Sequence, residues 1–185
     1  KTDAYARTEK IIGELNFEDP RRIMRAYPHE LSGGMCQRVT IGLAMVNAPD
    51  LLLADEPTSA IDVKSQLQVI DILMNMRKQY GTALMLVTHN MGLVAKVSDK
   101  IGVMCGGSIV EWGSREEVLN DPKHPYTRAL IASVPKIDCT LPDLVPINYS
   151  GATDSNQCKF LNMCHENCNI CLERPVAKRF AGKSH

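Results

Sequence analysis

Apolar positions in the first part of the chain recur at helical spacing. Residues 4–15 predict an amphipathic helix, and a second predicted helix starts at Pro20. Ser32 stands at an N-cap position, ahead of a longer helical pattern that ends near Pro49. The chain therefore begins with a predicted helical region, which we place at residues 1–48.

From residue 50 onward the pattern changes to short apolar runs that alternate with helical segments. The predicted elements are Leu51 to Ala54, Val63 to Tyr80, Thr82 to Thr88, Met91 to Val97 and Lys100 to Cys105. Such alternation is typical of parallel strands joined by crossover helices, so the predicted fold class is α/β. Gly106 and Gly107 then predict a tight turn into an antiparallel edge strand, and we expect a mainly parallel sheet with this hairpin at its edge.

The regular pattern continues to about residue 136 and then fades. Ser114 and Glu117 predict a capping box for another helix, and Tyr126 to Ser133 predicts one more. Further along, proline and glycine interrupt any long element. We expect three parts: a helical region at 1–48, an α/β part at 49–136 and a cysteine-rich C-terminal extension at 137–185.

The charge balance limits the classes of partner. Lys and Arg together number 21, and Asp and Glu together also number 21. No overall positive charge therefore draws the protein to nucleic acid. No apolar run approaches the roughly 20 residues that span a bilayer, and the first residues do not resemble a secretory signal. We therefore expect a cytosolic protein.

The cysteines are concentrated near the C-terminus. Four of the seven fall within a short segment: Cys158, Cys164, Cys168 and Cys171. In a reducing compartment this density favours thiolate ligation over disulfides, and four thiolates suit either a tetrahedral zinc or an iron-sulfur cluster. Cys36 and Cys105 are predicted to be packed thiols, and the sequence does not decide the role of Cys139.

Two segments carry candidate phosphate chemistry. The run Leu31-Ser32-Gly33-Gly34-Met35 offers bare backbone N–H groups at a predicted helix start, which suits a phosphate. Asp55 and Glu56 directly follow an apolar strand, and His89 follows a second one, so all three should meet at the carboxyl edge of the sheet. There Asp55 would hold magnesium, Glu56 would polarise a water, and His89 would contact a γ-phosphate or orient the water.

Four motifs in this order resemble those of ABC transporter ATPases. Residues 31–35 look like the signature, 51–56 like the Walker B strand, 59–62 like the D-loop and 87–90 like the switch histidine region. Two flanking stretches narrow the resemblance to the branch that imports oligopeptides, dipeptides or nickel. These are Tyr27-Pro28-His29-Glu30 and His124-Pro125-Tyr126-Thr127-Arg128-Ala129-Leu130.

The resemblance implies a site shared between two ATPase subunits that sandwich ATP and Mg²⁺. Ser32, Gly33 and Gly34 would complete the partner's site, whereas Asp55, Glu56 and His89 would serve this chain's own. Asp62 would belong to the D-loop. Met35 replaces the usual glutamine of the signature, and because a thioether donates no hydrogen bond, Ser32 and the backbone must make that contact.

The resemblance also implies partners, a location and a metal. The partners would be a second ATPase subunit, transmembrane permeases and, through them, an extracellular solute-binding protein, with no nucleic acid involved. The chain would sit peripherally on the cytoplasmic side of the membrane. The branch's cysteine pattern favours a 4Fe-4S cluster over zinc at Cys158, Cys164 and Cys171, with Cys168 or a residue beyond the chain as the fourth ligand.

The sequence contains no G-x-x-x-x-G-K-[ST] phosphate-binding loop. We do not expect Gly182-Lys183-Ser184 to replace it, because Ala177 occupies the first glycine position and only His185 follows in these 185 residues. We therefore expect a truncated ATPase subunit that is inactive alone. Two alternatives are a non-hydrolysing partner subunit, which lends its signature and a metal-binding tail, and an ABC ATPase that acts outside transport.

Overall fold

The computed structural model describes residues 2–59 and 61–134, together with Cys158, Phe160, Leu161 and Cys164. The chain divides into two compact units, Lys1–His89 and Asn90–His185.

The first unit begins with the predicted helices. They are α1 (Thr2–Glu14), α2 (Pro20–Arg25), a short 3₁₀ helix (Pro28–Glu30) and α3 (Gly33–Met45). Asp19 caps α2 by accepting a hydrogen bond from the Arg22 backbone N–H, and Ser32 caps α3 in the same way from Met35. The helix starts predicted at Pro20 and Ser32 are therefore confirmed.

A strand, a helix and a second strand complete the first unit. They are β1 (Leu51–Asp55), α4 (Val63–Tyr80) and β2 (Ala83–Val87). The strands pair in parallel, with Asp55 opposite Val87, and α4 makes the crossover that this pairing requires. The β-α-β unit predicted from the alternating pattern is thus present.

The core of the first unit lies between α1, α3 and one face of α4. Its buried side chains are Ile11, Ile12, Leu15, Ile23, Ile41, Met45, Val69, Ile70, Ile72, Leu73 and Met76.

At the ends of the helices, the Glu14 carboxylate accepts hydrogen bonds from the Tyr80 hydroxyl at 2.6 Å and from Gln79 Nε2 at 2.8 Å. Burial, with a smaller effect of Glu14, raises the pKa of Tyr80 to about 12. In contrast, Leu51, Leu53 and Met85 of the two strands are exposed.

The second unit contains a hairpin between helices. Its elements are α5 (Met91–Val97), β3 (Lys100–Cys105), β4 (Ser108–Ser114), α6 (Arg115–Asn120) and α7 (Pro125–Ala132). The two-residue turn places Gly106 at φ 55° and Gly107 at φ 78°, which glycine adopts without a steric penalty. Ser114 and Glu117 form the predicted capping box of α6. Ile101 and Val103 of β3 pack with Val118 of α6 in the core of this unit.

The sheet differs in one respect from the prediction. Within the described residues, β3 pairs with β4 in an antiparallel sheet, and β1 and β2 form a separate two-stranded sheet. The predicted parallel pair and the predicted antiparallel hairpin are both present, but they do not join in one sheet within the described residues. A local hairpin needs only a short turn to close, whereas an apolar run in the sequence does not specify which distant strand it joins.

Within the second unit, Phe160 of the C-terminal extension packs at the start of α7. The centroid of the Phe160 ring lies 5.3 Å from that of the Tyr126 ring, edge to face, and 6.1 Å from that of the His124 ring. Phe160 and Leu161 are both buried.

Cys105 is buried as predicted, and burial, with a smaller effect of Cys158, raises the pKa of its thiol. Cys139 lies outside the described residues.

Candidate functional site

Glu56 and His89 meet at the carboxyl ends of β1 and β2. The Glu56 backbone N–H donates to the Val87 carbonyl at 2.9 Å, which continues the strand pairing by one residue. The His89 backbone N–H then donates to Glu56 Oε1 at 3.0 Å, and His89 Nδ1 lies 2.7 Å from the same oxygen. The expectation that both side chains lie at one sheet edge is confirmed.

The Glu56 backbone adopts a left-handed conformation, with φ 43°. Such a conformation is uncommon for a residue with a side chain and costs about 1 kcal/mol or more, so the surroundings must impose it. Ser59 does so by donating from its backbone N–H at 3.0 Å and its Oγ at 2.9 Å to the Glu56 carbonyl. The chain therefore turns sharply after Asp55, and this turn aims Glu56 toward His89.

This pair can accept and orient a proton. When Glu56 is ionised, Nδ1 of His89 carries the proton that Oε1 accepts. The remaining nitrogen, Nε2, accepts a hydrogen bond from a water if the ring is neutral and donates one to a phosphate if the ring is protonated. The His89 side chain is 86% exposed and that of Glu56 is 34% exposed, so a substrate can reach both. Asp55, the last residue of β1, is also exposed and offers carboxylate oxygens of the kind that Mg²⁺ prefers.

The predicted signature segment, residues 31–35, forms the start of α3. Ser32 Oγ accepts a hydrogen bond from the Met35 backbone N–H at 3.3 Å. Ser32 and Gly33 are exposed, and the first N–H groups of a helix have no partner within it. This helix start can therefore receive an anion from solvent.

Asp62 lies at the start of α4, where its carboxylate caps the helix. Oδ1 accepts from the Ser65 backbone N–H at 3.0 Å, and Oδ2 accepts from Ser65 Oγ at 2.6 Å. The hydrogen bonds from the Ser65 hydroxyl and then its backbone N–H lower the pKa of Asp62. Asp62 therefore has a structural role in addition to the D-loop role that the resemblance implies.

The starts of α3 and α4 approach each other closely. A Cβ atom added to Gly34 would lie 3.2 Å from both Cβ and Oγ of Ser65. Glycine at this position therefore lets the signature segment pack against the cap of α4. Sequence reasoning missed Ser65, although the spacing Asp-x-x-Ser at a helix start is a recognisable capping signal.

The predicted metal ligands are only partly described. Cys158 and Cys164 are half-buried thiols, whereas Cys168 and Cys171 lie outside the described residues. Among the residues that the structure describes, no group of three or more Cys, His, Asp or Glu side chains is arranged to hold a metal ion. The described part of the chain therefore gives no support to an iron-sulfur or zinc site.

Two family models match the chain. The model described as "ABC transporter" matches residues 3–59, and that described as "Oligopeptide/dipeptide transporter, C-terminal region" matches residues 110–171. The first covers both the signature segment and the Asp55-Glu56 doublet. The second covers most of the described second unit and ends at Cys171.

Curated relatives include transport ATP-binding proteins of several bacteria. The chain is 42% identical over 142 residues to the oligopeptide transport ATP-binding protein OppD of Lactococcus lactis subsp. cremoris, which covers 77% of this chain and 42% of that protein. It is 38% identical over 138 residues to the dipeptide transport ATP-binding protein DppD of Bacillus subtilis, covering 75% of this chain and 41% of that protein. With OppD of Salmonella typhimurium the identity is 34% over 184 residues, 98% of this chain and 55% of that protein. The chain thus spans about half, or less, of the length of these relatives.

A solved structure has a similar fold. It is a dimeric post-hydrolysis state of the ATP-binding cassette MJ0796, bound to ADP and Pi. The TM-score is 0.52 at 27% identity, over 60% of this chain and 46% of that one. This similarity supports an α/β fold of the ABC ATPase type. Together with the two family models and the curated relatives, it shows that the chain belongs to the ABC transporter ATP-binding proteins, in the group that carries the oligopeptide/dipeptide transporter C-terminal region.

Proposed function

We propose that this chain is part of an ATP-hydrolysing subunit that energises the import of oligopeptides, dipeptides or nickel. The observation that carries the proposal is the contact between Glu56 and His89 at one edge of the β1–β2 sheet. This pair combines a carboxylate, which can polarise a water, with an imidazole that can contact a phosphate. The relatives named for oligopeptide and dipeptide transport support the class of cargo.

Each site residue has a distinct role in this proposal. Asp55 binds Mg²⁺, whose positive charge offsets the charge that develops on the phosphates. Glu56 accepts a proton from the attacking water, and His89 orients the water or the γ-phosphate. Ser32, Gly33 and Gly34 bind the triphosphate held by a second ATPase subunit. The dimeric state of MJ0796 supports such a shared arrangement.

The proposed assembly contains permeases as well as a second ATPase subunit. Residues 1–48 form a helical part that docks the permease, and residues 49–136 form the C-terminal part of the catalytic core. The solute-binding protein acts through the permeases on the other side of the membrane. In the described part of the chain, no helix has both the length and the apolar character needed to cross a bilayer. We propose a peripheral position on the cytoplasmic face.

The experiment must supply the phosphate-binding loop that these 185 residues lack. The complete gene, or a fusion of this chain behind the N-terminal half of OppD, is assembled with its permeases in proteoliposomes. We expect Mg²⁺-dependent ATP hydrolysis coupled to uptake of a labelled oligopeptide, and negligible hydrolysis by the 185-residue chain alone. Absence of hydrolysis in the assembled complex would contradict the proposal, as would ordinary ATP binding by the chain alone.

A second candidate function rests on the start of α3, where Ser32 and Gly33 are exposed and can meet an anion. A non-hydrolysing subunit would lend its signature segment to a partner and have no competent site of its own. In a heterodimer, Glu56→Gln would then leave turnover unchanged, whereas replacement of Ser32 would abolish it. An active subunit would lose turnover with either change.

A further inference from the structure

The loop between β1 and α4 is held by a side chain from the first turns of α4. Gln66 Nε2 donates to the Thr58 carbonyl at 3.1 Å and to the Ile61 carbonyl at 3.3 Å. Thr58 is buried, and Gln66 is half-buried. The single amide group therefore joins the beginning and the end of this loop.

A glutamine is well suited to this position. Its NH₂ group carries two hydrogens, so it can donate to two carbonyls at once without placing a charge in a half-buried site. The Gln66 backbone N–H donates to the Asp62 carbonyl at 2.9 Å, so the residue lies within the regular helix. Val69, Ile70 and the other buried residues of α4 fix that helix in the core.

The loop connects the residues on which the proposed hydrolysis depends. It starts at Glu56, whose left-handed backbone requires support, and the same loop contains Ser59, which supplies that support. Near its other end, a Cβ atom added to Gly33 would lie 3.9 Å from Cγ2 of Ile61. A change in the loop would therefore reach both the carboxylate and the signature segment.

We propose that Gln66 is a positioning residue for ATP hydrolysis, which it supports by bridging the carbonyls of Thr58 and Ile61. This inference depends on the proposed function. Gln66 acts through the loop and contacts neither ATP nor water. Its loss should lower kcat more than it raises the KM for ATP, because Glu56 and the signature segment lose their relative position while this chain's Mg²⁺ ligand, Asp55, remains in β1.

The test uses the complete subunit in its transporter, with ATP hydrolysis measured for the unsubstituted protein and three variants. Gln66→Leu removes the amide at similar volume, and we expect kcat to fall about tenfold with the KM for ATP within about twofold. Gln68→Leu is the matched control, because Gln68 is exposed on the same helix, and its kcat should equal that of the unsubstituted protein. Thermal unfolding of each variant identifies any loss of folding.

Gln66→Glu gives a readout that a general packing defect would not give. An ionised carboxylate cannot donate to carbonyls, whereas its protonated form can donate once, and burial raises the pKa of such a group. Relative to the unsubstituted protein, the kcat of Gln66→Glu should therefore recover as the pH falls from about 7 toward about 5. Recovery of kcat in Gln66→Glu at low pH also supports the role of Gln66 if the Gln66→Leu variant does not fold.

The outcomes separate this inference from the proposed function. Absence of hydrolysis in the unsubstituted transporter overturns both. Hydrolysis that Gln66→Leu leaves unchanged, or that Gln68→Leu lowers equally, overturns the role of Gln66 alone. A Gln66→Glu variant whose relative kcat does not change with pH also overturns it.

Discussion

His89 contacts Glu56 through both its backbone and its side chain, and both contacts fall on Oε1 of the carboxylate. The two residues are separated by 33 positions in sequence, and the parallel pairing of β1 and β2 brings them together. Because His89 uses only Oε1 in these contacts, the arrangement holds Glu56 in place while Oε2 is left for a water. An exposed pair of this kind contributes at most about 1 kcal/mol to stability, so its importance is chemical.

The first prediction concerns the Glu56 carboxylate. In the complete subunit, Glu56→Gln keeps an oxygen that can accept from the His89 backbone but removes the group that takes a proton from water. We expect ATP binding to remain and turnover to fall by about 100-fold or more, which is the usual contribution of a general base. Steady-state hydrolysis and equilibrium nucleotide binding measure the two effects separately. Turnover close to that of the unsubstituted subunit would remove the proposed role.

The second prediction separates two roles of Ser32. Ser32→Ala removes the cap of α3 and should lower the free energy of unfolding by about 1 kcal/mol. Ser32→Asp keeps a good N-cap, so stability should be retained, but its negative charge would repel the phosphate that the partner subunit holds. Denaturant unfolding and ATP turnover should therefore respond differently to the two variants. A Ser32→Asp subunit with normal turnover would contradict the proposed contact between this segment and ATP.

The helices and their caps could be predicted from the sequence because their signals are local. Ser32 and Ser114 each precede a run of helical spacing, and each caps the helix that follows. The approach of His89 to Glu56 was also predictable, although it is a long-range contact. It requires only that two apolar runs form neighbouring parallel strands, because the residues after such strands meet at one edge.

Two features could not be predicted because they depend on backbone partners. Gln66 donates to carbonyl groups, which every residue has, so its role leaves no pattern of residue types in the sequence. The pairing of β3 was also ambiguous, since an apolar run predicts a strand without naming its neighbour. In both cases the missing information is geometric.

The third prediction concerns the cysteines of the C-terminal extension, for which the metal remains a sequence-based hypothesis. If Cys158, Cys164, Cys168 and Cys171 bind a 4Fe-4S cluster, the protein purified without oxygen should be brown and contain about four iron atoms per chain. Cys164→Ser should lose the iron, whereas Cys36→Ser should keep it because Cys36 lies outside this group. Zinc without colour would select the alternative metal, and absence of both metals would contradict the hypothesis.

The fourth prediction is a pH dependence of stability that arises from His124. Its Nδ1 accepts a hydrogen bond from the Tyr126 backbone N–H at 3.1 Å and so caps α7, which requires the neutral ring. Burial lowers the pKa of His124, the Glu111 carboxylate opposes that shift, and Arg128 adds to it. The folded pKa is therefore below the unfolded value of about 6.5, and the unfolded chain binds the proton first as the pH falls. The stability that the neutral ring provides should be complete above the unfolded pKa of about 6.5 and should be lost as the pH falls through the lower folded pKa.

The measurement is the free energy of unfolding at several values between about pH 8 and about pH 5, compared with that of His124→Asn. Asparagine caps a helix through its side-chain oxygen and does not titrate, so this variant should keep α7 and lose the His124 contribution to the slope. The difference between the two proteins isolates His124 from the other histidines, whose titration is common to both. Glu111 also stabilises the segment before α7, because its carboxylate accepts hydrogen bonds from the backbone N–H groups of Lys123 and His124 at 2.7 and 3.0 Å. If His124→Asn had the same pH dependence as the unsubstituted protein, the neutral imidazole would have no part in stabilising the start of α7.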